Sequence, residues 1–204
     1  MDDADTPPDP VVRTRRTYDR VAPEYDETVP DAAELASLLE PFESRLPRES
    51  RLLDLGCGPG RDAAWFADRG HDVVGADLSV GQLRVAREQA PTARLAQVDM
   101  RSLPFVADTF DGCWCLASLL HVPHPDVPEV LAEVRRVLRP DAPLFASVKH
   151  GEGSETTYRY GTETGRAFFH WSPEPFAERF EATRFEVREV QVDEGDWLRV
   201  LARA

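Results

Sequence analysis

The stretch LLDLGCGPGRD, residues 52–62, places three glycines in five positions, after an apolar run and before a helical pattern. Glycine lets backbone turn sharply and approach a ligand closely. This turn constrains the fold more than any other feature. It needs a buried strand ending near Leu55 and a helix beginning near Arg61. "RDAAWFADRG" is that helix, closed by Gly70.

The rhythm of strand then helix continues. "DVVGAD" is a second strand, and "SVGQLRVAREQA" opens on a capping box with Ser79 at the N-cap and Gln82 at N3. "ARLAQVD" and "FDGCWCLASL" are the third and fourth strands. A helix starts at Asp126, with Glu129 at N3 and an apolar stripe through Val127, Val130, Leu131, Val134, Val137 and Leu138. Arg135, Arg136 and Arg139 suit its C-terminal dipole, and Pro140 stops it. "APLFASVKH" is the fifth strand. After a helix near 173–182, "RFEVREVQV" and "DWLRVLARA" are joined by "DEG" as a hairpin. Strands alternating with helices of about 10–15 residues make right-handed βαβ units in a parallel sheet. The hairpin makes one strand antiparallel. Upstream, 11–22 and 31–46 read as helices, with "APEYDET" as a loop between them and Asp31 capping the second.

The chain has 204 residues, which suits one α/β domain. Residues 1–10, "MDDADTPPDP", read as a disordered acidic tail, unlike a signal or transit peptide. Residues 11–204 read as the domain, with 11–46 as cap helices and 151–172 as a substrate-side insertion. No apolar run reaches the roughly 18–20 residues that span a bilayer, so no membrane association is expected. Cys57, Cys113 and Cys115 are too few for a disulfide framework and lack a Cys/His pair at ligand spacing. Reduced thiols, a cytoplasmic location and no metal are expected. Cys113 and Cys115, two apart in a strand, should share a face. Asp plus Glu number 37 against 24 Lys plus Arg, Lys149 is the only lysine, and the net charge is −13. That balance suggests adaptation to salt. It argues against a nucleic-acid partner, less strongly in molar salt, where the Debye length is about 3 Å.

In an open parallel sheet, ligands sit beyond the carboxyl ends of the strands. Gly56, Gly58 and Gly60 form G-x-G-x-G, not the G-x-G-x-x-G of a dinucleotide site, and no G-K-[ST] of a P-loop follows. Asp54 and Asp62 beside the loop would repel a pyrophosphate and attract an ammonium or a sulfonium. Asp77 ends the second strand, where a carboxylate can accept ribose hydroxyls. Asp99 ends the third, within reach of an adenine amino group. Three successive strands thus end in an acid, which suits an adenosine with a cationic tail.

These residues resemble the class I S-adenosylmethionine-dependent methyltransferases, over about residues 11–150 and, by topology, the closing hairpin. "LLDLGCGPG" is similar to their glycine motif, "VVGADLS" to their ribose-binding strand end, "VDMRSLPFVADTFDGCWCLASLLHVP" to their adenine loop and fourth strand, and "LRPDAPLFASVKHG" to the approach to strand five. The resemblance implies an α/β fold: a Rossmann-like seven-stranded, mostly parallel sheet with one antiparallel strand and helices on both faces. It implies S-adenosyl-L-methionine as cofactor. Asp54 and the backbone of Gly56 and Gly58 would hold the methionine moiety, Asp77 the ribose, Leu78 the adenine face. Asp99 and the N–H of Met100 would meet the adenine edge, and Leu116 would border the methionine tail. "TYDRVAPEYDE" resembles the segment that closes over the cofactor, which makes Tyr18 and Tyr25 candidate contacts.

Methyl transfer from a sulfonium is an in-line displacement, so the protein mainly positions the acceptor and excludes water. His121, after the fourth strand, is the candidate base or substrate contact. His124 is placed on the surface, and Lys149 and His150 could also line the pocket. Residues 151–172 bring "YRY" and "FFHW" to the acceptor side as a loop or extra strands, where aromatics and arginines could hold a planar or anionic small molecule. The expected activity is methyl transfer to an O, N or C atom of a small-molecule acceptor. No N-P-P-[YFW] follows the fourth strand. An RNA (tRNA base) methyltransferase is the alternative, suited by Arg13, Arg15 and Arg16 and a basic stripe near 151–172. A non-catalytic S-adenosylmethionine-binding module is the second alternative.

Overall fold

A computed structural model of the chain describes residues 9–160 and 165–204. The helices are α1 (Pro10–Asp26), α2 (Ala36–Glu43), α3 (Arg61–Ala67), α4 (Val80–Gln89), α5 (Val127–Val137) and α6 (Pro173–Ala182). The strands are β1 (Arg51–Leu55), β2 (Asp72–Asp77), β3 (Arg94–Gln97), β4 (Gly112–Cys115), β5 (Pro143–Lys149), β6 (Ser154–Thr157), β7 (Arg166–Phe169), β8 (Glu186–Val192) and β9 (Trp197–Arg203). Seven strands form one sheet in the order β3-β2-β1-β4-β5-β9-β8. All pairings from β3 to β5 are parallel, whereas β9 runs antiparallel to both β5 and β8. The terminal hairpin thus supplies the single reversed strand.

Strands buried on both faces read as near-continuous apolar runs, and alternation then sorts their side chains to two cores. Leu53, Cys113, Cys115 and Val148 join the core under α5 and α6, with Val130, Leu131, Phe176 and Phe180. Leu52, Trp114 and Phe145 join the core under α2 and α3, with Leu39, Phe42 and Phe66. Cys113 and Cys115 therefore do share a face, and all three cysteines are buried and free. The Trp114 and Phe145 rings stack at 4.2 Å. The Trp114 indole N–H donates to Asp62 at 2.8 Å, and Asp62 also takes two hydrogen bonds from Arg61.

The amino-terminal part differs from expectation in two ways. Residues 1–8 of the expected tail lie outside the described residues, but Asp9 caps α1 by accepting from Val11 N–H at 2.8 Å, and Pro10 opens the helix. A proline is well suited to a first turn, where its missing N–H is not needed. The helix also continues through "APEYDET" as far as Asp26, with Pro23 inside it. Proline removes one helical bond there. Tertiary contacts outweigh that loss: Val21 and Ala22 are buried, and the Asp19 carboxylate docks on the start of α4. It accepts from Ser79 Oγ at 2.8 Å and from Gly81 N–H at 3.1 Å. Asp31 accepts from the N–H of Ala33 and Glu34 but caps only a turn: α2 begins at Ala36, with Leu35 at its N-cap and no side-chain cap, because these bonds close a local turn before the helix starts. The 151–172 segment holds the antiparallel pair β6–β7, which packs on α1: Thr14 Oγ1 accepts from Ala167 N–H at 3.0 Å, and Arg13 donates to Thr156 at 3.1 Å.

Gly81 is where α1 and α4 meet. A Cβ there would lie 2.6 Å from the Asp19 carbonyl oxygen and 2.7 Å from its Cα, both backbone atoms that cannot rotate aside. Gly81→Ala should push α1 off α4 and lower the unfolding free energy in urea by about 1–3 kcal/mol, the usual cost of overpacking. An unchanged midpoint would show that this helix contact is loose.

Candidate functional site

The tips of β1, β2 and β4 and the glycine loop open into one cleft of about 310 Å³. The residues expected to hold the cofactor, together with His121, all line it. Asp54, Gly56 and Gly58 come from the β1 tip and loop, and Asp77 and Leu78 from the end of β2. Asp99 and Met100 follow β3, while Leu116 and His121 follow β4. Tyr18 and Tyr25 reach in from α1. Lys149 and His150 do not line it. The Lys149 ammonium instead sits 4.1 Å from the Trp197 ring centroid and donates to Gly195 O, and His150 pairs with Trp171 through the backbone. His124 is half-buried rather than at the surface, its Nε2 2.9 Å from His170 O and its ring 4.2 Å from that of Trp171.

The loop is built for close approach. Gly56, Gly58 and Gly60 all have left-handed backbone, with φ of 77°, 53° and 90°. A Cβ on Gly56 would lie 1.8 Å from Ser118 Oγ, so this position excludes any side chain on two grounds. Gly56 and Cys57 donate to Ala76 O at 2.7 and 3.1 Å, which ties the loop to β2. Asp77 completes the tie. Its carboxylate accepts from Gly58 N–H at 2.9 Å and from Ser79 N–H at 2.8 Å. Burial raises its pKa, against the lowering effect of these backbone donors.

The acids of the cleft are not equivalent. Asp62, read from the sequence as part of the negative lining, is held by Arg61 and Trp114 and serves the core beneath the loop. Asp54 is 3% exposed, and its Oδ2 has no hydrogen-bond partner. Its pKa stands well above the carboxylate range, through burial first and the neighbouring Asp62 second. Both oxygens of Asp99 are clasped by Arg101, at 2.7–3.2 Å, and these hydrogen bonds outweigh burial to lower the Asp99 pKa. Arg101 also reaches Asp9 and Asp126 at 3.2 and 3.4 Å, fastening the start of α1 to the loop after β3.

Gln82 is a further cleft residue that the sequence marked only as a cap. Ser79 does cap α4 by accepting from Gln82 N–H at 3.2 Å. The reciprocal bond of a capping box is missing, because Asp77 already takes the Ser79 N–H. The Gln82 amide is 1% exposed and both of its polar atoms lack partners. A buried unpaired polar group costs about 1–3 kcal/mol. Gln82 and Asp54 Oδ2 therefore mark where a polar, donor-bearing ligand fits.

At the other end, His121 Nδ1 lies 2.6 Å from Ala167 O and Nε2 lies 3.0 Å from Tyr18 Oη. A carbonyl only accepts, so Nδ1 carries the hydrogen and Nε2 accepts from the Tyr18 hydroxyl. Arg166 donates to the same Tyr18 oxygen at 3.1 Å. Burial pushes the His121 pKa down to about 4, aided by the charge of Arg166 and opposed by the Ala167 carbonyl. Burial also raises the Tyr18 pKa, so the phenol stays protonated.

Residues 52–141 match a family model described as a methyltransferase domain. In fold, and over these matched residues, the chain is similar to the S-adenosylmethionine-dependent methyltransferases. It is similar to the methyltransferase GfsG of Streptomyces halstedii, 40% identical over 101 residues that cover 46% of this chain and 36% of that protein. It is also similar to the demethylmenaquinone methyltransferase of Renibacterium salmoninarum, 32% identical over 135 residues that cover 64% of this chain and 56% of that one. The chain thus spans between 36% and 56% of the length of these two relatives. In fold it resembles the 1,6-didemethyltoxoflavin-N1-methyltransferase of Burkholderia thailandensis, solved with 1,6-didemethyltoxoflavin and S-adenosylhomocysteine. That likeness has a TM-score of 0.72 at 23% identity, and covers 98% of this chain and 92% of that one.

The depressed pKa of His121 has a consequence for stability. An unfolded histidine takes up its proton near 6.5 and this one only near 4, so between those values the native state binds fewer protons. The stability is complete above about pH 6.5 and is lost as pH falls toward 4, by up to about 3 kcal/mol. Denaturation of wild type and His121→Gln at both ends of that range should show a shallower loss in the variant. Parallel losses would refute the burial argument.

Proposed function

We propose that this protein transfers a methyl group from S-adenosylmethionine to an O, N or C atom of a small-molecule acceptor. The observation that carries this reading is the unpaired, buried Asp54 oxygen beside bare glycine backbone, inside the segment that matches the methyltransferase domain. S-adenosylmethionine supplies a methyl already activated on a sulfonium. The rest falls to the chain. Asp54 and the backbone of Gly56 and Gly58 hold the ammonium end, with Gln82 as an added partner. Asp77 keeps lone pairs for the ribose hydroxyls, and Leu78 packs on the adenine. Because Arg101 occupies Asp99, that acid orients its loop and leaves the Met100 N–H to meet the adenine edge. Leu116 borders the tail that leads to the acceptor. Tyr18 and Tyr25 close the cleft from above, with residues 11–46 and 151–172 acting as the cap of one domain.

His121 acts on the acceptor through Tyr18 rather than directly, since its Nε2 is engaged. The in-line displacement needs little else from the protein than position and exclusion of water. A small acceptor accords with the names of the curated relatives, among them demethylmenaquinone and malonyl-[acyl-carrier protein] methyltransferases. RNA is the less favoured acceptor: among the described residues Arg13 is bonded to Thr156, Arg15 to Asp19 and Arg166 is buried, which leaves Arg16 as the exposed one of Arg13, Arg15 and Arg16. No helix among the described residues is long and apolar enough to cross a membrane. Three buried free thiols suit the cytoplasm.

Calorimetry with S-adenosylhomocysteine, then transfer of labelled methyl to fractionated metabolites and RNA, tests the reading. Label should enter a small-molecule fraction; label in RNA alone would overturn the choice of acceptor. Asp77→Ala should weaken S-adenosylhomocysteine by about 1–3 kcal/mol, and an unchanged Kd would remove its assigned role. Asp54 has a raised pKa and must be ionised to hold an ammonium. Affinity should therefore fall as the pH is lowered, and should begin to do so above the pH at which an ordinary carboxylate takes up its proton; a flat profile would place the ammonium elsewhere.

A further inference from the structure

Behind the Tyr18 wall of the cleft stands a charge that methyl transfer as such does not require. Among the described residues, Arg166 on β7 is the one Lys or Arg that is buried, at 7% exposure. No carboxylate of the described residues lies within ion-pair distance of it, and its Nε has no hydrogen-bond partner. Among the described residues it makes one side-chain hydrogen bond, from Nη1 to Tyr18 Oη at 3.1 Å. Around it stand aromatic rings: Tyr18, Tyr160 and Phe168, with centroids 5.3, 5.1 and 5.3 Å from the guanidinium carbon. Ring faces attract a cation, but they do not replace an anion for one taken out of water. The other arginines near the cleft are compensated: Arg61 by Asp62, Arg101 by Asp99, and Arg199 by Asp193. His121 beside it is neutral by the bonding worked out above and contributes no charge.

We infer that Arg166, acting through the Tyr18 hydroxyl, selects an acceptor that carries an oxyanion, a carboxylate or a phosphate monoester. This rests on the methyltransferase reading and names its substrate class. Tyr18 lines the cleft and Arg166 stands directly behind it. When an oxyanion enters, the Tyr18 O–H turns from His121 Nε2 to donate to it, while the guanidinium donates into the same phenolic oxygen. Such a chain of donors ending on a charge is strengthened cooperatively. The cleft is then polarised along its length, acidic where the amino-acid tail lies and cationic where the acceptor lies. No bond changes in this recognition step, and Arg166 is a specificity-determining residue rather than a catalytic one.

The test uses the full chain saturated with S-adenosylhomocysteine, whose binding is measured first. Benzoate, phenyl phosphate and the neutral benzamide are then titrated by calorimetry. At least one oxyanion should bind ten-fold or more tightly than benzamide. Benzoate alone would indicate a carboxylate acceptor, and phenyl phosphate alone a phosphate monoester. Arg166→Gln should reduce the favoured oxyanion to the level of benzamide, and Arg166→Lys should restore part of the difference. Equal affinities for all three probes, no binding of either oxyanion, or a folded Arg166→Gln that keeps full oxyanion affinity would each overturn the inference. The wild-type comparison decides the matter even if the variants do not fold. Failure of S-adenosylhomocysteine to bind would instead strike the methyltransferase reading.

Discussion

The Asp77 carboxylate is the interaction on which the site depends. One oxygen holds the N–H of Gly58 and the other the N–H of Ser79, so a single side chain at the tip of β2 joins the glycine loop to the entry of α4. Left-handed backbone at three glycines is affordable in a loop only when such ties fix it. The same bond has a second effect. By occupying the Ser79 N–H it releases the Gln82 amide from its capping duty, and a buried polar group becomes available to a ligand. A local hydrogen-bond choice thus shapes what the cleft can recognise.

A second layer of contacts mounts the cap on this base. The Asp19 carboxylate sits at the start of α4, where backbone N–H groups and the positive end of the helix favour an anion. Arg101 gathers Asp9, Asp99 and Asp126, which anchors the first turn of α1 over the loop after β3. At its other side α1 receives the β6–β7 hairpin through Thr14 and Arg13. The aromatic cluster of Tyr18, Tyr25 and His121 is thereby held at the junction of three elements.

Much of this was legible in the residue order. A glycine loop between an apolar run and a helix, and acids at three strand ends, are local patterns, and local patterns survive folding unchanged. Residues chosen on those grounds line one cleft. What was not legible depends on partners distant in sequence. Asp62 and Asp99 look like free acids until Arg61 and Arg101 fold onto them. Lys149 and His150 look like pocket residues until β9 arrives beside β5. "APEYDET" reads as a loop, yet α1 runs on to Asp26, with Val21 and Ala22 buried and Asp19 anchored 62 residues away at Gly81. Arg166 and Tyr18 are 148 positions apart, and nothing in either local stretch announces their meeting.

Helix α1 touches both ends of the cleft, α4 on the nucleoside side and β7 on the acceptor side. On the proposed reading one rigid element therefore serves both reactants. Whatever displaces α1 against α4 also displaces Tyr18 against His121 and Arg166. Occupancy of one half of the cleft and affinity in the other are thereby thermodynamically linked, each altering the other by the same factor.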